Sequence, residues 1–176
     1  LEDAVAGAER DVAKTAAVAS EKAGALSGRR RVAARLLEEK IRGHLRELAL
    51  PAAEFRAAFT SEENVDSPVV VDGKHLRAYD DGIDRVEFLF AANPGAEPKS
   101  LARAASGGEL SRIMLAVRAV LSGKSDAESI IFDEIDVGIG GRTADAVGRK
   151  LRDVARTKQV LCVTHLPQVA AFGATH

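Results

Sequence analysis

The sequence predicts an α/β fold, a parallel core sheet with flanking helices, preceded by an α-helical arm. Three observations predict it. Residues 1–50 are charged, contain no proline, and repeat apolar side chains at heptad spacing. The runs 129–132 and 160–164 are short and continuously apolar, with a helical pattern between them. A second helical pattern opens on Ser106-Gly107-Gly108-Glu109, just before the first of those runs. The chain has 176 residues, 46% of them hydrophobic and 29% charged, so it can bury a core and is not disordered by composition. A net charge of -1 points to no particular polymer as partner. Aromatic residues make up only 4%, which argues against base-specific readout of a nucleic acid. No apolar run approaches the ~20 residues of a membrane span, and no signal peptide opens the chain. The single cysteine, Cys162, forms no internal disulfide and suits a reducing compartment.

In the arm, Val5, Val12, Ala19 and Leu26 recur every seven residues, with Leu1 and Ala8 as companions and Thr15 and Lys22 as weak points. Leu37, Ile41, Leu45 and Leu48 continue a helical stripe. This reads as one strand of a coiled coil, about 70 Å long if continuous, or as a long amphipathic helix of a bundle. Gly24 and Gly28 predict a break. Residues 51–68 read as a second short helix and then a loop. Val69 to Val71 before Asp72-Gly73 predict a short strand and turn. The alternation from Arg85 to Phe90 predicts a half-buried antiparallel strand. A loop spans 93–98. Beyond it follow a helix over 110–121, a strand over 129–132, a helix over 143–155 and a strand over 160–164. Continuous apolar strands of this kind imply a sheet covered on both faces.

Ser106 is a good N-cap, Glu109 completes a capping box, and Leu110, Ile113, Met114, Val117, Val120 and Leu121 fall on one helical face. Two glycines leave N–H groups uncovered at the positive end of the helix dipole, which suits phosphate. Taken alone, the segment reads more simply as a plain capped helix. The strand Ile130-Ile131-Phe132 ends in Asp133-Glu134, where ligands of open parallel sheets gather. Asp133 suits a magnesium ion held through water, and Glu134 suits orienting or deprotonating an attacking water. Taken alone, the pair is a solvated loop. Gly138, Gly140 and Gly141 permit unusual backbone angles after Asp136. His165 ends the next strand, on the same sheet edge as the acidic pair. Arg112 and Arg142 are secondary candidates for charge contacts. Arg29, Arg30, Arg31, Arg35 and Lys40 form either a phosphate-contacting or a solvated helix face. His44 and His75 have no neighbour at metal-ligand spacing.

Together these strings resemble the ABC ATPase superfamily, and within it the RecN family of SMC-like DNA-repair proteins. Ser106 to Glu109 resembles the ABC signature, with Ala105 where many members have leucine. Ile130 to Glu134 resembles Walker B with its catalytic glutamate, Asp136 the D-loop aspartate, and His165 the switch histidine. The longer strings 105–116, 133–141 and 164–171 are similar to RecN, and less so to SMC or RecF proteins. The likeness is specific over 88–173 and architectural over the first fifty residues.

The resemblance implies the C-terminal lobe of an ABC/SMC-type ATPase head with a P-loop NTPase fold over 51–176, continuing past His176. It implies that 1–50 is the returning arm of a coiled-coil hairpin. It also implies catalytic Glu134 and His165, nucleotide contacts from Ser106, Gly107, Gly108, Glu109 and Asp136, and Mg2+ at Asp133. Two heads would close on ATP and act on DNA in recombinational double-strand-break repair, in the bacterial cytoplasm at the nucleoid. No Gly-x-x-x-x-Gly-Lys-Ser/Thr loop occurs here. Gly123-Lys124-Ser125 has Arg118 where the first glycine belongs and follows a helix, not a strand. The Walker A loop is therefore expected from an amino-terminal lobe outside this chain, and the chain alone is expected to be inactive. A second reading is a non-enzymatic coiled-coil module with a globular anchor.

Overall fold

A computed structural model describes residues 2–104, 107–121 and 128–176. The chain forms two compact units, one from Leu1–Arg35 with Ala57–Glu87, the other from Leu36–Arg56 with Phe88–His176.

Helix α1, Glu2–Glu47, is unbroken through Gly24 and Gly28, so the expected break is absent. Alanine, glutamate, lysine and arginine on both sides carry the helix across two glycines that cost about 1 kcal/mol each. In the first unit the small residues Ala19 and Ala23 pack against Val69, Val71, Leu76 and Ile83. These last residues lie on or beside a hairpin of β2 (Val70–Val71) and β3 (Lys74–His75). A side chain at Gly24 would already touch Val71, which is why small residues line this face. Ser27 donates to the buried Asp84 carboxylate at 2.7 Å, with Arg30 3.5 Å away. The heptad row is only partly covered: Ala19 packs here, whereas Val5, Val12 and Leu26 are 53%, 64% and 39% exposed.

Strand β1, Glu54–Thr60, occupies the stretch read as a helix. Ala52, Ala53, Ala57 and Ala58 give that stretch its helical propensity. Its state is decided instead by ladder pairing and by Phe55, whose ring lies 5.3 Å from that of Phe88. The sheet order is β1-β4-β5, with β4 at Arg85–Ala91 and β5 at Lys99–Ser100, β4 and β5 being antiparallel. Burial along β4 does not alternate. Val86 and Phe88 are exposed, and only Phe90 on that face enters the core.

The core of the second unit gathers Ile41, Leu45 and Leu48 from the end of α1 with Phe55, Phe90, Ile113, Leu115, Phe132, Ile135 and Val147. Each such side chain contributes roughly 1.5–3 kcal/mol by leaving water. Helix α1 stops where Leu50 N–H bonds back to Leu45 O at 2.9 Å around Ala49, whose φ is +60°. Pro51 then prevents resumption. Short helix α2 (Leu101–Ala104) precedes α3 (Gly107–Val120), β6 (Ser129–Phe132), α4 (Gly141–Ala155), β7 (Gln159–Cys162) and α5 (Pro167–Ala170). Lys150 of α4 reaches back to α1, donating to His44 Nδ1 at 2.9 Å and pairing with Glu47 at 2.7 Å. Burial first, then this ammonium, holds the His44 imidazole below its ordinary pKa.

Strands β6 and β7 are parallel, pairing Ser129 with Gln159 through Phe132 with Cys162. Phe132, Ile130, Val160 and Cys162 face the core. On the other face Ile131, Leu161 and Val163 are 71%, 49% and 62% exposed, so one face of this ribbon is bare where two covered faces were expected. Among the described residues, no helix is long and apolar enough to cross a membrane.

Candidate nucleotide site

The parallel pairing of β6 and β7 sends both strand ends to one rim. Asp133 and Glu134 follow β6 directly and are exposed, and His165 lies three residues beyond β7. The turn after β6 is tightly held. Asp133 Oδ1 accepts the Glu134 N–H at 2.8 Å, and its backbone carbonyl accepts Ser111 Oγ at 2.7 Å. Glu134 has φ +56°, left-handed for a residue with a side chain, at a cost of about 1–2 kcal/mol. That backbone turns its carboxylate toward the start of α3. A Cβ built on Gly107 would overlap Glu134 Oε2, and one on Gly108 would lie 3.1 Å from the Glu134 and Val137 carbonyls. The two glycines thus admit the acidic loop against the helix start, where negative charge is favoured.

Asp136 lies buried at the centre. It accepts the hydroxyl of Thr164 and the backbone N–H of His165 at 2.9 Å, and its Oδ2 lies 3.2 Å from His165 Nδ1. Burial alone would raise this carboxyl. The Thr164 hydroxyl, the His165 N–H, its own N–H and the imidazole outweigh that and hold its pKa below the ordinary 3.8. With Nδ1 on Asp136, the largely exposed ring of His165 presents Nε2 to whatever occupies the rim. The thiol of Cys162 is pushed up by burial and then by Asp136 and Asp133, which suits a packing role.

No family model matches the chain. It is 42% identical over 179 residues to the DNA repair protein RecN of Mycobacterium leprae, across 98% of this chain and 30% of that protein. It is 43% identical over 150 residues to the RecN of Bacillus subtilis, across 84% of this chain and 26% of that one. The chain belongs to the RecN family. It spans less than a third of the length of these RecN relatives. Among solved structures, the Smc head domain with a coiled coil and joint from Pyrococcus yayanosii shares the fold. Its TM-score is 0.50 at 20% identity, over 82% of this chain and 24% of that one. The architecture is therefore that of an SMC-type head lobe with a long N-terminal helix.

Within this RecN segment the rim gathers Gly107, Gly108, Asp133, Glu134, Asp136 and His165. Ser106 lies outside the described residues, as do Ala105 and the Gly123-Lys124-Ser125 string. Glu109 sits in the first turn of α3; burial lowers the pKa of the Arg112 guanidinium, and the charge of Glu109 only partly offsets this. Two features escaped the sequence reading. Thr164 is a ligand of Asp136, and a Thr-His pair at a strand end gives no signal of it. Arg112, read as a charge contact, is buried and donates to Val137 O at 2.9 Å. The buried face of α3 is correspondingly rotated from the one expected: Arg112, Leu115 and Ala116 are buried with Ile113, while Met114 is 37% exposed.

Proposed function

We propose that this chain supplies the C-terminal lobe (51–176) and the returning coiled-coil arm (1–50) of an ATP-hydrolysing, SMC-like head that acts on DNA in recombinational double-strand-break repair. The observation that carries this reading is the convergence of the α3 glycines, the acidic pair and His165 on one rim of a parallel sheet, in a chain of RecN ancestry.

An amino-terminal lobe of the same protein brings the Walker A loop and covers the bare face at Ile131, Leu161 and Val163. Parallel sheets are stable when both faces are covered. Each ATP lies between two heads. One head holds its phosphates. The other caps the γ-phosphate with the backbone N–H groups of Gly107 and Gly108 and the hydroxyl of Ser106. Glu134 accepts the proton of the attacking water or aligns it, and His165 Nε2 steadies the γ-phosphate. The triphosphate charge is satisfied only when both surfaces meet, so ATP joins the heads and hydrolysis releases them.

Among the described residues no three His, Cys, Asp or Glu side chains cluster to hold a metal. Magnesium bound to nucleotide would need only one carboxylate from the protein, and Asp133, exposed at the end of β6, is placed to provide it. Asp133 would hold it through water, and the ion would supply charge neutralisation at the phosphates.

Phosphate release by the full-length protein, compared with that of residues 1–176 alone, tests the reading. Magnesium-dependent turnover is expected from the first and none from the second. No turnover from the full-length protein would overturn the proposed activity. Turnover by the isolated chain, lost on Glu134→Gln, would overturn the need for the second lobe.

A further inference from the structure

Among the described residues Arg112 is the only buried arginine or lysine, at 6% exposure. Its Nη1 donates to Val137 O at 2.9 Å and lies 3.5 Å from Ile135 O, while Nε has no hydrogen-bond partner. A guanidinium does not shed its charge, so burying it with one donor orphaned is costly. Were packing the only requirement, leucine or methionine would fill this helix face at less cost. The carbonyls it reaches flank Asp136 and follow Glu134. The preceding residue, Ser111, grips the carbonyl of Asp133, and Gly108 closes against Glu134 O and Val137 O. Three successive contacts along α3 therefore fasten the loop from Asp133 to Val137.

We propose that Arg112 is a positioning residue that fastens the acidic loop to the start of α3, so that the two move as one body. Resting on the reading above, this couples the two nucleotides of a head dimer. The phosphate capped at Gly107 and Gly108 belongs to the opposite head's ATP, whereas Glu134 and His165 serve the ATP of their own head. A γ-phosphate docking on α3 then sets the water-activating loop of the same chain through Arg112, and each site reports its occupancy to the other.

Full-length protein carrying Arg112→Gln or Arg112→Lys tests this by steady-state ATP turnover across ATP concentration, with circular-dichroism melting alongside. Arg112→Gln is expected to lower kcat about tenfold to a hundredfold, the effect of misplacing catalytic groups by about 1 Å. KM should be little changed, and the Hill coefficient should fall from above one to one. Arg112→Lys, which keeps the charge and one donor, should recover part of both. Unchanged kcat and Hill coefficient in Arg112→Gln, or a Hill coefficient of one in the parent, would overturn the coupling. If both variants fail to fold, Arg112 is a structural clamp only, and the proposal is again overturned. The functional reading fails separately, if the parent shows no turnover or Glu134→Gln leaves turnover intact.

Discussion

Replacing Glu134 with glutamine in the full-length protein is expected to lower ATP turnover about a hundredfold or more while leaving nucleotide binding intact. A positioned general base contributes ~10²–10⁴ to rate, and glutamine keeps the shape while losing the proton acceptor. The geometry makes this the cleanest substitution at the rim. Glu134 is exposed, its backbone is already fixed by the bond to Asp133 Oδ1, and glutamine keeps the shape that lies against Gly107. Folding should therefore be nearly unaffected. Because hydrolysis, not binding, is blocked, ATP-joined dimers should accumulate, visible as a lasting increase in mass by sedimentation. A variant that binds ATP, turns it over at the parent rate and melts normally would remove Glu134 from the mechanism.

Replacing Asp136 with alanine should harm both stability and turnover. The buried carboxylate takes the Thr164 hydroxyl and the His165 N–H and faces the His165 ring. Hydrogen bonds to a charged group are worth about 1.5–3 kcal/mol, and the histidine loses the group that orients it. Thermal melting should fall accordingly, and kcat should fall by roughly tenfold or more as His165 loses its fixed geometry. Acid dependence follows from the depressed carboxyl pKa. The stabilisation is full above the ordinary value of 3.8 and is lost as pH falls through the lower folded value, since the unfolded chain takes up the proton first. The stability gap between parent and Asp136→Ala should therefore be widest above about pH 4 and close in stronger acid. A gap that does not change with pH would show that the charge of Asp136 contributes nothing.

Much of this was legible in the residues themselves. Strand β6 was readable from Ser129 to Phe132 because a short apolar run bounded by polar residues has few alternatives. The acidic pair and His165 were legible as rim residues because parallel strands end on one edge. Gly138 and Gly141 do adopt positive φ in the loop where glycine was expected to matter. What was not legible depended on distant packing. Alanines hid β1, whose state is set by its neighbour strand and the Phe55–Phe88 contact. The pairing of residues 57–87 with the first part of α1 rests on small side chains such as Ala19 and Ala23, and nothing in the heptad row says which segment covers them. An arginine at position 112 looks the same in sequence whether solvated or buried, and its burial rotates the packed face of α3. The engagement of the Asp136 carboxylate by Thr164 and His165 of its own chain likewise depends on how the two strand ends meet in space.

The central claim is that two copies complete one nucleotide site. Mixing two inactive full-length proteins tests it most directly. One carries Ser106→Glu, which sets a negative charge where the γ-phosphate should be capped. The other lacks the phosphate-loop lysine of the amino-terminal lobe. In a mixed dimer one site joins the intact phosphate loop of the first copy to the intact helix start of the second, so mixing should restore turnover that neither protein shows alone. No recovery, with mixed dimers verified by two affinity tags, would mean that the rim at α3, Glu134 and His165 does not share ATP between copies.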